Sequence, residues 1–218
     1  MSSGRAMIQV KRTGVDVTAT GRDLDGLREE FDRQHCVLLK GFFEPELLAD
    51  IRGRIDRGVF LPKKHDGVGT ELCLSDPVTS GLLNLLVNRQ DLFRVVQRVT
   101  GCDRIGSFQG RVYRFHAQLG HHDSWHDDVI ERRLIAMSVN LGRQIYSGGV
   151  LQIRESESGR IVHEVANTGF GDAVVFRLSH GLKHRVTDVQ GGVPREAFAG
   201  WFKSEPEFLS YFKPSPAL

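Results

Sequence analysis

The spacing of apolar residues along this chain changes once, near Gly101. Before that point the period is mostly helical. Leu24, Leu27 and Phe31 recur at three- and four-residue intervals between Arg22 and Arg33, which places them on one face of a helix. Glu44-Pro45-Glu46 reads as a helix start, with proline at the first helical position and acids near the positive end of the dipole. Leu47, Ile51 and Ile55 then form one stripe up to about Gly58. From Val78 to Thr100, Leu82, Leu85 and Leu86, then Leu92, Val95, Val96 and Val99, predict two short helices interrupted near Asn88 and closed by Gly101. Between these helices, His35 to Leu39 is a strand-like apolar run ended by Gly41. The stretch PKKHDGVGTELCLSD (Pro62 to Asp76) has glycines, charges and no sustained period. It is expected to be a loop long enough to serve as a lid or to face substrate. Its Lys63, Lys64 and His65 form a small basic cluster that could meet an acidic group. The weak alternation of Met7, Gln9 and Lys11 suggests an edge strand or an arm at the start.

After Gly101 the runs become short and rich in β-branched and aromatic residues. Gly106 to Phe115, Arg133 to Leu141, Val150 to Arg154, Ile161 to Val165, Ala173 to Leu178, His184 to Val189 and Ala197 to Lys203 are separated by turn-like clusters such as Ser147-Gly148-Gly149 and Gln190-Gly191-Gly192. Seven strand candidates in such a span argue for a sandwich or jelly roll. The expected fold is therefore α+β. Residues 1–100 would be mainly helical support and lid, and 101–205 a β-core, in one domain spanning 1–218.

Composition narrows the class. Hydrophobic residues make up 40% and charged residues 26%, as in ordinary globular proteins. No apolar run approaches the ~20 residues that span a bilayer, and the N-terminus lacks a signal core. Cys36, Cys73 and Cys102 are odd in number and widely spaced, so a reducing, cytoplasmic setting is expected. With 29 basic and 27 acidic residues the net charge is only +2, and nothing marks a nucleic-acid or membrane partner.

Candidate chemistry concentrates in Gly120–Asp128, GHHDSWHDD, with three histidines and three aspartates in nine residues. Two histidines and a carboxylate on one face of an octahedron suit non-haem Fe(II), because three positions remain open. Residues i and i+2 of an extended segment share a side, so His121-x-Asp123 and His126-x-Asp128 are both possible ligand pairs. A distal ligand could come from His163, His180 or His184. His184 follows an apolar run, whereas His180 sits in a turn and His163 in a charged hairpin. Arg195 lies eleven residues beyond His184, where it could hold a carboxylate bidentately. Asp172 reads as a turn former, and Trp125 and Trp201 as packing residues.

His126-x-Asp128, Ser138-Val139-Asn140-Leu141, Gly148-Gly149-Val150-Leu151, Gly169-Phe170-Gly171-Asp172-Ala173-Val174-Val175-Phe176, His184-Arg185-Val186 and Arg195 together resemble the ordered motifs of the Fe(II)/2-oxoglutarate-dependent dioxygenases, in particular the prolyl-4-hydroxylase-like branch. The likeness is strong over Arg111 to Phe202 and looser around CVLLKGFFEPELL. It implies a double-stranded β-helix, or cupin-like jelly roll, with N-terminal helices packed on it. His126, Asp128 and His184 would be the iron ligands, and Arg195 the partner of the distal carboxylate of 2-oxoglutarate. Relatives often carry a hydroxyl residue two positions after that arginine. Here Ala197 stands there, so Tyr113 is chosen as the second partner and Asn140 as a further cofactor-side residue. Arg111, His121, His122 and Trp201 are substrate-side candidates, with His122, His121 and Asp123 otherwise loop residues that orient ligands. The resemblance implies Fe(II), 2-oxoglutarate and O2, with ascorbate as an accessory. It implies hydroxylation of an unactivated C–H bond of a small metabolite, amino acid or peptide, with release of succinate and CO2. Desaturation and ring formation, the free or carrier-bound state of the substrate, and monomer or homodimer all stay open. Rival readings are a non-catalytic metal or 2-oxoglutarate sensor, and a cupin-like metalloenzyme without 2-oxoglutarate, which would not need Arg195.

Overall fold

A computed structural model of the chain describes residues 6–130, 132–166 and 169–205. The elements run β1 (Ile8–Lys11), β2 (Gly14–Val17), α1 (Gly21–Gln34), β3 (Cys36–Leu39), α2 (Pro45–Arg57), β4 (Phe60–His65), β5 (Gly69–Leu74), α3 (Pro77–Val87), α4 (Gln90–Thr100), β6 (Ser107–Phe115) and β7 (His122–Asp123). Then come β8 (Arg133–Asn140), β9 (Ser147–Gly148), β10 (Leu151–Glu155), β11 (Ile161–Val165), β12 (Ala173–Arg177), β13 (Leu182–Val186), β14 (Val189–Gln190) and β15 (Arg195–Lys203).

The helices begin and end where local chemistry dictates. Thr20 and Asp23 form a capping box at α1, and Asp76 accepts from the Val78 and Thr79 amides ahead of Pro77 at α3. Gly101 ends α4 in the left-handed conformation, at φ +63°. Among the described residues no helix is long and apolar enough to cross a membrane.

An eight-stranded antiparallel sheet, in the order β3-β12-β8-β15-β6-β5-β4 with β7 beside β5, curls into a half-barrel. A smaller sheet, β11-β10-β13, faces it, as a jelly roll requires. Period-two alternation on the large sheet builds two cores. Phe108, Val112, Met137, Val139, Val175, Phe198 and Phe202 pack outward under the helices. Tyr113, Phe115, Ala136, Val174, Phe176 and Ala197 turn inward toward Leu151, Ile153 and Val186 of the small sheet. On the helix side, Phe93 meets Phe202 edge-on at 6.1 Å. Each such ring, fully buried, contributes about 1.5–3 kcal/mol.

α3 also completes the edge of β6. Asn84 donates to the Gly110 carbonyl at 3.0 Å and accepts from its amide at 2.8 Å, and Asn88 does the same at Phe108, at 2.8 Å each way. Two side-chain amides thus satisfy backbone groups that a neighbouring strand would otherwise take.

Two expectations change. The Pro62 to Asp76 stretch is a hairpin, β4 with β5, rather than a loop. Gly67 falls at the turn and Gly69 opens β5, Lys63, Lys64 and Pro62 occupy the sheet edge, and Leu72 and Cys73 pair with Arg114 and Tyr113. Proline and lysine suit an edge strand, and they mask its period. The first hundred residues are also more than helical support, because β3 pairs along β12 and β4–β5 extend the other side of the sheet. The opening residues form the β1–β2 hairpin, and Asp172 is buried, its Oδ1 accepting from the Gly41 amide at 2.7 Å.

Candidate active site

One cavity of about 380 Å³ opens between the two sheets. Its wall includes His126, Asp128 and His184, which the strand layout brings together from two distant segments. His184 projects inward from β13 and is buried. The segment carrying His126 is sewn to it by reciprocal backbone bonds, His126 N to His184 O at 3.1 Å and His184 N to His126 O at 2.8 Å. Asp128 follows at φ +57°, an unfavourable conformation for aspartate that turns its carboxylate back toward both rings. One ligand atom from each residue lies within 4.8 Å of the others. Asp128 Oδ2 is 3.6 Å from His126 Nε2 and 3.5 Å from His184 Nε2.

The surroundings prepare these groups. His126 Nδ1 donates to the Ser124 carbonyl at 2.6 Å, which leaves Nε2 as the inward ligand atom. Asp123 stands 3.4 Å from the same ring and accepts from the Val186 amide at 2.8 Å. Asp128 Oδ1 takes Arg133 Nη1 at 2.8 Å, and Oδ2 takes Trp201 Nε1 at 2.9 Å. Burial opposes charge on Asp128, yet hydrogen bonds with His126 and His184 outweigh it and hold the carboxyl well below its usual range. Burial likewise opposes a charged His126, but Asp128 and Asp123 push it up to about 9. An anionic carboxylate between two imidazoles, all within reach of one point, is a donor set that fits Fe(II).

Arg195 lines the same cavity from β15 and is 7% exposed. Its Nη1 donates to Tyr113 Oη, its Nη2 to Ser138 Oγ at 3.2 Å, and Tyr146 supplies a third hydroxyl contact. No carboxylate of the described residues pairs with it. Burial opposes its charge, and the Tyr113 and Tyr146 oxygens hold it protonated. Burial also raises the Tyr113 phenol against the pull of Arg195, so its O–H proton stays available for an anion. A buried guanidinium among hydroxyls is half of an ion pair, and it fits the carboxylate of 2-oxoglutarate. Gly149, at φ +62°, lets Tyr146 and Arg195 close in, since a Cβ there would lie 2.8 Å and 2.9 Å from them.

The other sequence candidates divide. Tyr113 sits across from Ala197 in the β6–β15 ladder, so its ring fills the space that alanine leaves. Asn140 lines the cavity and spends Oδ1 on the Gly142 amide at 2.9 Å. Arg111, His122 and Trp201 line the mouth, whereas His121 is buried behind it, its Nδ1 accepting from the His116 amide at 3.0 Å. Neither His163 nor His180 lines the cavity; His180 faces Asp127 at 3.3 Å.

Sequence reasoning did not single out Ser138, Tyr146, Arg133 or Glu71. Ser138 shares a face with Asn140, and period two on β8 would have found it. Tyr146 and Arg133 carry no such signal. Glu71, 4% exposed, lay in the stretch expected to be a loop. It binds Arg111 Nε at 2.6 Å and His65 Nε2 at 2.8 Å, at the mouth of the cavity.

A half-barrel holding a His-Asp-His cluster and a buried arginine, with no carboxylate partner among the described residues, fits a mononuclear non-haem iron oxygenase. Residues 108–203 match the 2OG-Fe(II) oxygenase superfamily, a family of dioxygenases that use Fe(II), 2-oxoglutarate and O2. Similar folds include a Pseudomonas putida prolyl-4-hydroxylase, at 19% identity and TM-score 0.62, covering 83% of this chain and 98% of that one. A Trichoplax adhaerens prolyl hydroxylase in complex with a hypoxia inducible factor peptide fragment matches at 15% and 0.60, covering 88% and 94%. SnoN, a non-heme alpha ketoglutarate dependent epimerase from nogalamycin biosynthesis, matches at 11% and 0.61, covering 84% of each chain. No curated protein matches the chain in sequence.

Proposed function

We propose that the protein hydroxylates an unactivated C–H bond of a small metabolite, amino acid or peptide, in a reducing cytoplasm. The observation that carries the reading is the buried Arg195, ringed by hydroxyls, in the cavity that also holds the His126-Asp128-His184 cluster. His126, Asp128 and His184 hold the metal, while Arg195, Tyr113 and Ser138 take the distal carboxylate of 2-oxoglutarate. When bound, Fe(II) with O2 and 2-oxoglutarate supplies the oxidising chemistry: one oxygen atom enters the substrate C–H bond, the other enters succinate, and CO2 leaves.

The chain's own residues orient and exclude. Asp128 keeps a carboxylate in the cluster, which favours hydroxylation over chemistry that needs that position vacated. Trp201 and Arg133 fix its two oxygens, and the apolar wall of Leu151, Val174, Phe176 and Val186 keeps the cavity dry. The β4–β5 hairpin contributes His65, Asp66 and Val68 to Glu71 at the mouth, where Arg111, His122 and Trp201 meet substrate. The three cysteines are free, in keeping with a reducing setting.

Anaerobic addition of Fe(II) and 2-oxoglutarate should give the weak visible charge-transfer band of the chelate, and succinate release over a compound panel should identify the substrate class. A folded, iron-loaded sample without the band would sink the proposal.

A further inference from the structure

The segment Ser124–Asp128, which carries two of the three proposed ligands, has little regular structure. His126 makes a single bridge to His184, and Ser124 donates to the Val68 carbonyl at 2.7 Å. Trp125 lies between Ser124 and His126, and its ring turns to the other side of the segment. His126 lines the cavity and Trp125 does not. Its indole meets two guanidinium groups, Arg154 at 4.2 Å and Arg185 at 4.6 Å from the ring.

Both arginines belong to the small sheet at the places that matter for the metal. Arg185 follows His184 on β13, and Arg154 follows Ile153, the cross-strand partner of His184 on β10. Arg185 is aimed by Gln152, whose Oε1 accepts from its Nε at 2.8 Å. Arg154 Nε is buried and makes no hydrogen bond, so the ring is the contact that accounts for its placement. Tryptophan offers the strongest face for a cation, and a planar guanidinium can lie against it as an ammonium cannot. Backbone bonds thus join His126 to His184 on the inside, and the stack joins Trp125 to the same strand on the outside.

We infer that Trp125 is a positioning residue for the metal centre: gripped between Arg154 and Arg185, it holds the Ser124–Asp128 segment against β13 and so fixes His126. The inference rests on the iron reading, and it concerns an aromatic residue that touches neither metal nor substrate. Residues that orient ligands from outside change metal affinity by about 10- to 100-fold when removed.

The test uses the full chain and Mn(II) alone, titrated calorimetrically, with amide exchange at His126 followed in metal-free protein. Trp125→Ala should weaken Mn(II) binding roughly tenfold and speed His126 amide exchange. Trp125→Phe should restore most of the affinity, a rescue that general destabilisation would not give. Arg154→Met with Arg185→Met keeps the apolar stems and should weaken binding several-fold, and this pair decides the matter if Trp125→Ala fails to fold. Variants that bind Mn(II) within twofold of the wild type, with unchanged exchange at His126, overturn the clamp and leave the iron reading standing. A wild type that takes up no Mn(II) or Fe(II) overturns both, whatever the exchange rates show.

Discussion

Replacing Arg195 by methionine removes a buried charge and keeps much of the side-chain volume. Two effects of opposite sign follow. Losing one partner of a buried, hydrogen-bonded charge pair costs about 2–5 kcal/mol. At about 1.4 kcal/mol per decade, 2-oxoglutarate should bind roughly 30- to 4000-fold more weakly. In ligand-free protein the balance differs, because no carboxylate of the described residues offsets the 7%-exposed guanidinium. Removing a buried charge that nothing offsets relieves a desolvation penalty of roughly a few kcal/mol. Against this, the Tyr113 and Ser138 hydroxyls each lose a donor, at about 1 kcal/mol apiece. Arg195→Met without ligand should therefore melt close to the wild type. Adding Mn(II) and 2-oxoglutarate at a hundred times the wild-type Kd should stabilise wild type by about 2.7 kcal/mol and the variant hardly at all. Thermal melts with and without 2-oxoglutarate read both effects. An equal ligand-induced shift in the two proteins would refute the assignment of Arg195.

Further outcomes can be checked alongside. His126→Ala, Asp128→Ala and His184→Ala should each abolish succinate release and strip iron, measured by metal analysis after desalting. His121→Ala should retain iron, since its ring lies behind the cavity wall. Gly149→Ala should displace Arg195 or Tyr146, at a cost on the order of 1–3 kcal/mol in stability and with weaker 2-oxoglutarate binding by titration. Glu71→Gln should destabilise the fold by about 1.5–3 kcal/mol in denaturant melts near pH 7. Burial opposes the Glu71 charge, but Arg111 outweighs it and lowers the carboxyl below its ordinary 4.5. Its contribution is therefore complete above that value and lost as the pH falls below it, so the gap between wild type and Glu71→Gln should close in acid.

The sequence made the helices and most of the inner strands legible because one face of each is apolar. Ordered motifs brought His126, Asp128, His184 and Arg195 forward as candidates, and the strand layout places all four on one cavity wall. The sequence concealed β4–β5, whose solvent edge carries Lys63, Lys64 and Pro62, and with it the Arg111–Glu71 pair. Tyr146 was invisible for another reason. It belongs to no strand, and its place beside Arg195 depends on the positive φ of Gly149, which no hydrophobic period encodes. Trp125 read as a packing residue, and nothing local announced that its packing partners would be two arginines.

Asn84 of α3 and Asn88, which caps the helix, act as a gauge. Four residues of helix rise about 6 Å and two residues of strand advance about 6.6 Å, so Asn84 and Asn88 match Gly110 and Phe108 in only one alignment. A slip of β6 by one residue would turn those amides to the wrong side and would carry Arg111 and Tyr113 out of the cavity with them. The helix therefore calibrates the strand: two amides remote from the metal decide which face of β6 the site receives.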